Sequence, residues 1–99
     1  LIVFSDDIHF FKHNMPNPTG RLMFCDIKNP IISLFLMSMC ADHIIANSSF
    51  SWWGAWLNPK KEKRVVAPRC WYREKFLPKN FKDPDAAMHN LIPRDWIML

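Results

Sequence analysis

Short apolar runs alternate with helically spaced segments along this chain. Leu1–Phe4, Leu22–Cys25, His43–Ala46 and Val65–Ala67 are each three or four mostly apolar residues closed by polar or turn-forming ones, and they read as strands. The first arrives at Ser5-Asp6-Asp7, and a helix is predicted from about Asp7 to Asn14, with Ser5 or Asp6 as N-cap and acids in its first turn. Met15–Gly20 holds two prolines and a glycine and reads as a loop. After the connection Asp26–Ile32, Ser33 is the expected cap of a helix running to about Ala41. That helix is apolar on nearly every face, so it should be buried or packed against a partner. Asn47-Ser48-Ser49 leads into a further helix, Phe50–Asn58, in which Phe50, Trp53, Gly54 and Leu57 share one face. Lys60–Lys63 is a charged turn, and the Val65 strand stops at Pro68. Beyond it the pattern dissolves into Pro, Lys and aromatics, with a helical turn expected at Ala86–Asn90 and an apolar tail at Trp96–Leu99. Four strands with helical connections fit right-handed βαβ units, an α/β fold with a parallel sheet.

Composition narrows the possibilities. Ninety-nine residues make one small domain, and 49% hydrophobic with 22% charged residues places the chain among those that fold. A formal charge of +4 favours an anionic ligand. The longest stretch free of ionised side chains, His43–Pro59, carries Asn47, Ser48, Ser49 and Ser51 and falls short of the roughly 20 apolar residues of a membrane span. Leu1-Ile2-Val3-Phe4 lacks the basic region and cleavage site of a signal peptide. Cys25, Cys40 and Cys70 form no CxxC pair and are expected to be reduced, buried thiols. Gly20 and Gly54 are the only glycines, so neither a Walker loop nor a GxGxxG turn can be built. Because the first residue already lies in a strand, the chain is expected to be the C-terminal part of a longer polypeptide.

In an open parallel sheet, ligands bind outside the carboxyl ends of the strands. Here those ends are Ser5-Asp6-Asp7, Cys25-Asp26, Asn47-Ser48-Ser49 and Pro68-Arg69. The turn Asn47-Ser48-Ser49-Phe50-Ser51 opens a helix, so Ser48 or Ser49 either only caps it or joins its free N–H groups in holding a phosphate. Asp6 and Asp7 could ligate a metal, act as a base or cap a helix. His9 and His13 have a spacing that suits zinc but no third ligand nearby in sequence, and Asp83-Pro84-Asp85 resembles a paired-acid pattern that binds manganese or magnesium but lies in a Pro-rich, basic loop and not at a strand end. His43 reads as structural. Trp52, Trp53 and Trp56, with Trp71, Tyr72 and Trp96, are either core or a stacking platform. Lys60–Lys82 carries nine Lys or Arg against two Glu, which suits a solvated face, a diphosphate-bearing substrate or nucleic acid.

The run Leu36-Met37-Ser38-Met39-Cys40, followed by His43-Ile44-Ile45-Ala46-Asn47-Ser48-Ser49-Phe50-Ser51-Trp52-Trp53-Gly54-Ala55-Trp56-Leu57-Asn58, closely resembles the signature of bacterial α-1,2-fucosyltransferases of glycosyltransferase family 11. Phe4-Ser5-Asp6-Asp7 resembles that family's FSDD motif. Val66-Ala67-Pro68 with Trp71-Tyr72, and Ile92-Pro93 with Trp96, are similar to its closing segments. The resemblance implies a two-domain GT-B architecture in which residues 1–99 are a single partial domain, the Rossmann-like, donor-binding C-terminal half. It implies inverting, metal-independent transfer of fucose from GDP-fucose to the 2-hydroxyl of a galactose-terminated glycan, with no cofactor. Ser5, Asp6, Asp7, Ser33, Asn47, Ser48, Ser49, Phe50 and Ser51 would face the donor, and the catalytic residues stay unassigned. The family's HxRxDY motif has no counterpart here, and Ser33 stands where members usually carry an acid. The 99 residues are therefore expected to be inactive without the N-terminal half. Bacterial members imply a cytoplasmic or peripherally membrane-associated location, and animal members a Golgi lumenal one. Two other readings stand beside this one: a degenerate nucleotide-binding module without transfer, and a basic nucleic-acid-binding protein.

Overall fold

The computed structural model describes residues 1–17, 19–71 and 90–99. Tyr72, the Asp83-Pro84-Asp85 pattern, most of the expected turn at 86–90 and the basic segment beyond Trp71 lie outside the described residues. Two compact units, Leu1–Ser33 and Leu34–Leu99, carry the described elements.

In the first unit β1 (Ile2–Phe4) and β2 (Met23–Cys25) pair in parallel, Ile2 opposite Met23 and Phe4 opposite Cys25. Helix α1 (Ile8–Asn14) is the crossover between them, and its Ile8 is buried. Asp7 is its N-cap, in place of Ser5 or Asp6: the Asp7 carboxylate accepts from the Phe10 N–H at 3.0 Å, while Ser5 Oγ accepts from the Asp7 N–H. The helix thus begins one residue later than expected and has no acid in its first turn. Asn17 clamps the loop before β2 by exchanging two 3.1 Å hydrogen bonds with the Leu22 backbone, and Gly20 takes the left-handed conformation (φ 64°) that closes the turn. Asp26 pairs with Lys28 at 3.0 Å and Lys12 at 3.6 Å.

Helix α2 (Pro30–Ser38) starts three residues before the expected cap. Asn29 accepts from the N–H groups of Ile31 and Ile32, and Pro30 occupies the first helical position, where its missing N–H costs nothing. Ser33 is inside the helix, its hydroxyl donating to the Ile27 carbonyl. No residue of α2 is buried, although its sequence is apolar all round, and Phe35 and Met39 are exposed.

The second unit is built on a three-stranded parallel sheet, β3 (His43–Ile44), β4 (Val65–Ala67) and β5 (Ile97–Met98), with β4 in the centre. Helix α3 (Ser49–Trp56) follows β3. The core joins Ile45, Ala55, Val65, Ala67, Trp71, Ile92 and Trp96, with Trp52, Leu91 and Met98 packed on it. Two expectations change here. The apolar tail is a strand: Leu99 N–H donates to the Ala67 carbonyl and Arg69 N–H to the Leu99 carbonyl. The described strands also form two small parallel sheets and not one, because an apolar run of three residues does not specify its neighbour. All three cysteines are free, but Cys70 is exposed and Cys25 and Cys40 are half-buried. No helix among the described residues is long and apolar enough to cross a membrane.

Candidate functional site

The turn between β3 and α3 is held by its own polar side chains. Ser48 N–H donates to the Ala46 carbonyl at 2.8 Å, and the helix opens with Trp52 N–H on the Ser48 carbonyl at 3.0 Å. Ser51 Oγ donates to the carbonyls of Ala46 and Ser48 at 3.1 and 3.0 Å, tying the turn to the first helical turn. Asn47 Nδ2 reaches the Trp71 carbonyl at 3.3 Å, fixing the turn to the segment after β4. Asn47 and Ser51 therefore build the turn.

Ser48 and Ser49 are placed differently. Ser48 is the N-cap by backbone geometry, but its hydroxyl makes no capping bond. Ser49 and Phe50 are exposed. The amides of Ser49, Phe50 and Ser51 precede the first intrahelical N–H bond, and no acid occupies the first turn to offset the positive end of the helix dipole. Two hydroxyls and the N–H groups of the first helical turn thus follow closely on the carboxyl end of β3, chemistry able to accept an anion's oxygens.

The remaining candidates belong to the Leu1–Ser33 unit. Ser5 and Asp7 accept backbone N–H bonds as turn and cap, Ser33 is spent on Ile27, and Asp6 is exposed. His9 and His13 are exposed on α1. The described residues contain no group of three or more His, Cys, Asp or Glu arranged to hold a metal.

The apolar stripe Phe50, Trp53, Gly54 and Leu57 of α3 is buried only at Gly54. Gly54 and Ala55 are buried, whereas Phe50, Trp53 and Leu57 are exposed. Trp52 leans on the core, donates from Nε1 to the Leu91 carbonyl at 3.0 Å, and stacks on half-exposed Trp56 at 5.1 Å and 12°. It also meets Trp96 at 5.7 Å. Packing thus accounts for Trp52, Trp71 and Trp96, while Trp53 and Trp56 leave about half their surface outside.

At the other end of α3 lies Asn58, 2% exposed, which sequence reasoning did not single out. Its Nδ2 donates to the Cys40 carbonyl at 2.7 Å and lies 2.8 Å from His43 Nε2, and its Oδ1 accepts from Lys60 N–H at 2.9 Å. Lys63 Nζ donates to its backbone carbonyl. Burial, then the charge of Lys63 and more weakly of Lys60, pushes the His43 imidazole below its ordinary value, with Asp42 opposing. Asp42 is held down at about 2 by side-chain and then backbone hydrogen bonds from Arg64.

The sequence profile of glycosyl transferase family 11 matches residues 1–90. The Escherichia coli O-antigen biosynthesis glycosyltransferase WbnK is 43% identical over 74 residues, which cover 73% of this chain and 24% of that protein. An α-1,2-colitosyltransferase of Escherichia coli is 35% identical over 102 residues, covering 100% of this chain and 32% of that protein. The chain spans about a quarter to a third of the length of these curated relatives. No solved structure gives a significant match.

Proposed function

The chain is a member of glycosyltransferase family 11, and on that premise we propose that it is the donor-binding part of an α-1,2-fucosyltransferase, the Rossmann-like C-terminal half of a GT-B enzyme. The observation that carries this reading is the opening of α3. Its free N–H groups and the Ser48 and Ser49 hydroxyls sit beyond a parallel strand's carboxyl end, where a nucleotide-sugar diphosphate finds donors and a positive dipole. During transfer, the bond from the fucose anomeric carbon to the diphosphate breaks and the 2-hydroxyl of a galactoside attacks from the opposite face, inverting the centre. Negative charge then builds on the GDP oxygens, and donors fixed in advance at α3 stabilise it without reorganising. Metal is not required by this scheme. In this reading the N-terminal half supplies the arginine facing the leaving group and most of the acceptor contacts.

The α-1,2 linkage in the name of one relative supports the linkage proposed here. That name specifies colitosyl transfer, so the sugar is a second arm of the test. Calorimetric titration with GDP, and with ADP and UDP as controls, is expected to show GDP-selective binding without added metal. Ser49→Glu is expected to weaken it at least tenfold by setting a carboxylate against the diphosphate. Equal binding of all three nucleotides, or an unchanged affinity in the variant, would remove α3 as the donor site. GDP binding with no transfer in a longer polypeptide would favour the non-catalytic module.

A further inference from the structure

We propose that His43 and Asn58 form a proton-operated latch, closed when the imidazole is neutral, that ties the end of the α2 segment, the head of β3 and the turn after α3 into one unit. The amide of Asn58 can be oriented in only one way. Its oxygen must meet the Lys60 N–H and its nitrogen must meet the Cys40 carbonyl, since the reverse sets donor against donor and acceptor against acceptor. The second Nδ2 hydrogen is then directed at His43 Nε2, 2.8 Å away, which has to present a lone pair. His43 is therefore neutral with its proton on Nδ1.

Protonation would place an N–H on Nε2 facing the N–H of Asn58. Asn58 has no room to turn away, since it is buried and its other atoms are engaged. The charged groups around the imidazole oppose protonation on balance. Lys63 and Lys60, which disfavour the imidazolium, come from the turn after α3, and Arg64, just before β4, accepts the His43 backbone N–H through its carbonyl. Asp42, the neighbouring anion, is engaged by Arg64 through two side-chain bonds and one backbone bond. Cys40, at the end of the α2 segment, contributes a half-buried thiol within 3.6 Å of the Leu36 carbonyl. Mild acid then opens the latch at one point, replacing the Asn58–His43 hydrogen bond with a donor–donor contact and loosening the head of β3 from the turn after α3.

Two measurements on the 99-residue chain test this. In side-chain nitrogen NMR, His43 is expected as the Nδ1–H tautomer at neutral pH, titrating below the free-imidazole value of about 6.5. In thermal unfolding, the midpoint of the unmodified chain is expected to fall by on the order of 5 °C more than that of His43→Gln between about pH 7.5 and 5. The glutamine carbonyl can accept from Asn58 at every pH, so it keeps the bond and loses the proton. If the variant does not fold, the NMR titration of the unmodified chain decides. An Nε2–H tautomer, a midpoint at or above about 6.5, or parallel pH profiles for the two chains overturns the latch.

Discussion

At Gly54 the space for a side chain is already taken. A Cβ built there lies 2.8 Å from Met37 Cβ and 2.9 Å from its Sδ, and Met37 Cβ sits too close to the backbone to swing aside. Gly54→Ala should therefore destabilise the chain by about 1–3 kcal/mol in urea unfolding, although alanine is the better helix former. Asn58 is the other residue whose neighbours leave it no substitute. Truncation to alanine leaves the Cys40 carbonyl and Lys60 N–H without their partner, a loss of about 1–3 kcal/mol by the same measurement. Asp42 differs from both because it is exposed. Its carboxyl is held at about 2 in the fold against an ordinary 3.8, so the unfolded chain takes up the proton first as pH falls. The stability it contributes is complete above 3.8 and drains away as pH drops toward about 2. Asp42→Asn should flatten that part of the stability profile, and the change should be small because solvent screens the pair.

The elements show how local rules compete. Helix α1 takes Asp7 as cap because the Asp7 carboxylate reaches the Phe10 N–H, with Ser5 bracing the turn behind it. Helix α2 starts at Pro30 because Asn29, within the Asp26–Ile32 stretch, satisfies two of its orphan N–H groups, whereas Ser33 turns its hydroxyl to the Ile27 carbonyl. Helix α3 is decided by its tryptophans. The i, i+3, i+4, i+7 set Phe50, Trp53, Gly54 and Leu57 is the more regular apolar stripe, yet Trp52 takes the inner face, where its indole N–H finds the Leu91 carbonyl. Trp52→Phe should cost about 1 kcal/mol in thermal unfolding, the value of that hydrogen bond, with part of the stacking on Trp56 retained.

For the molecule as a whole, β5 is the element whose contribution exceeds its length. It pairs with β4 through Val66–Ile97 and Ala67–Met98, and Trp96, just before it, enters the core. Deleting Trp96–Leu99 turns β4 into an edge strand and uncovers Val65 and Ala67. The truncated chain should lose its cooperative thermal transition and near-ultraviolet circular dichroism. Fourteen per cent aromatic residues make that spectrum an easy reporter.

Near-neighbour patterns in the sequence were enough for the α/β class, the order of the first seven elements and the position of the turn Asn47–Ser51 between β3 and α3. Each of these rests on near-neighbour chemistry, in which apolar runs, helical spacing and capping side chains act within a few residues of one another. The resemblance carried by the Asn47–Asn58 run also lies in contiguous residues, and it agrees with the family match. Tertiary structure alone decided which face of α3 is buried, that Trp96–Leu99 forms a sheet strand, and that Asn47 and Ser51 brace the turn while Ser48 makes no capping bond and Ser49 is exposed. It also brought Asn58 to His43, 15 positions away in the chain. Those outcomes depend on atoms that meet only after the chain has closed on itself. A buried asparagine satisfied by Cys40, His43 and Lys60 leaves no periodic trace along the sequence.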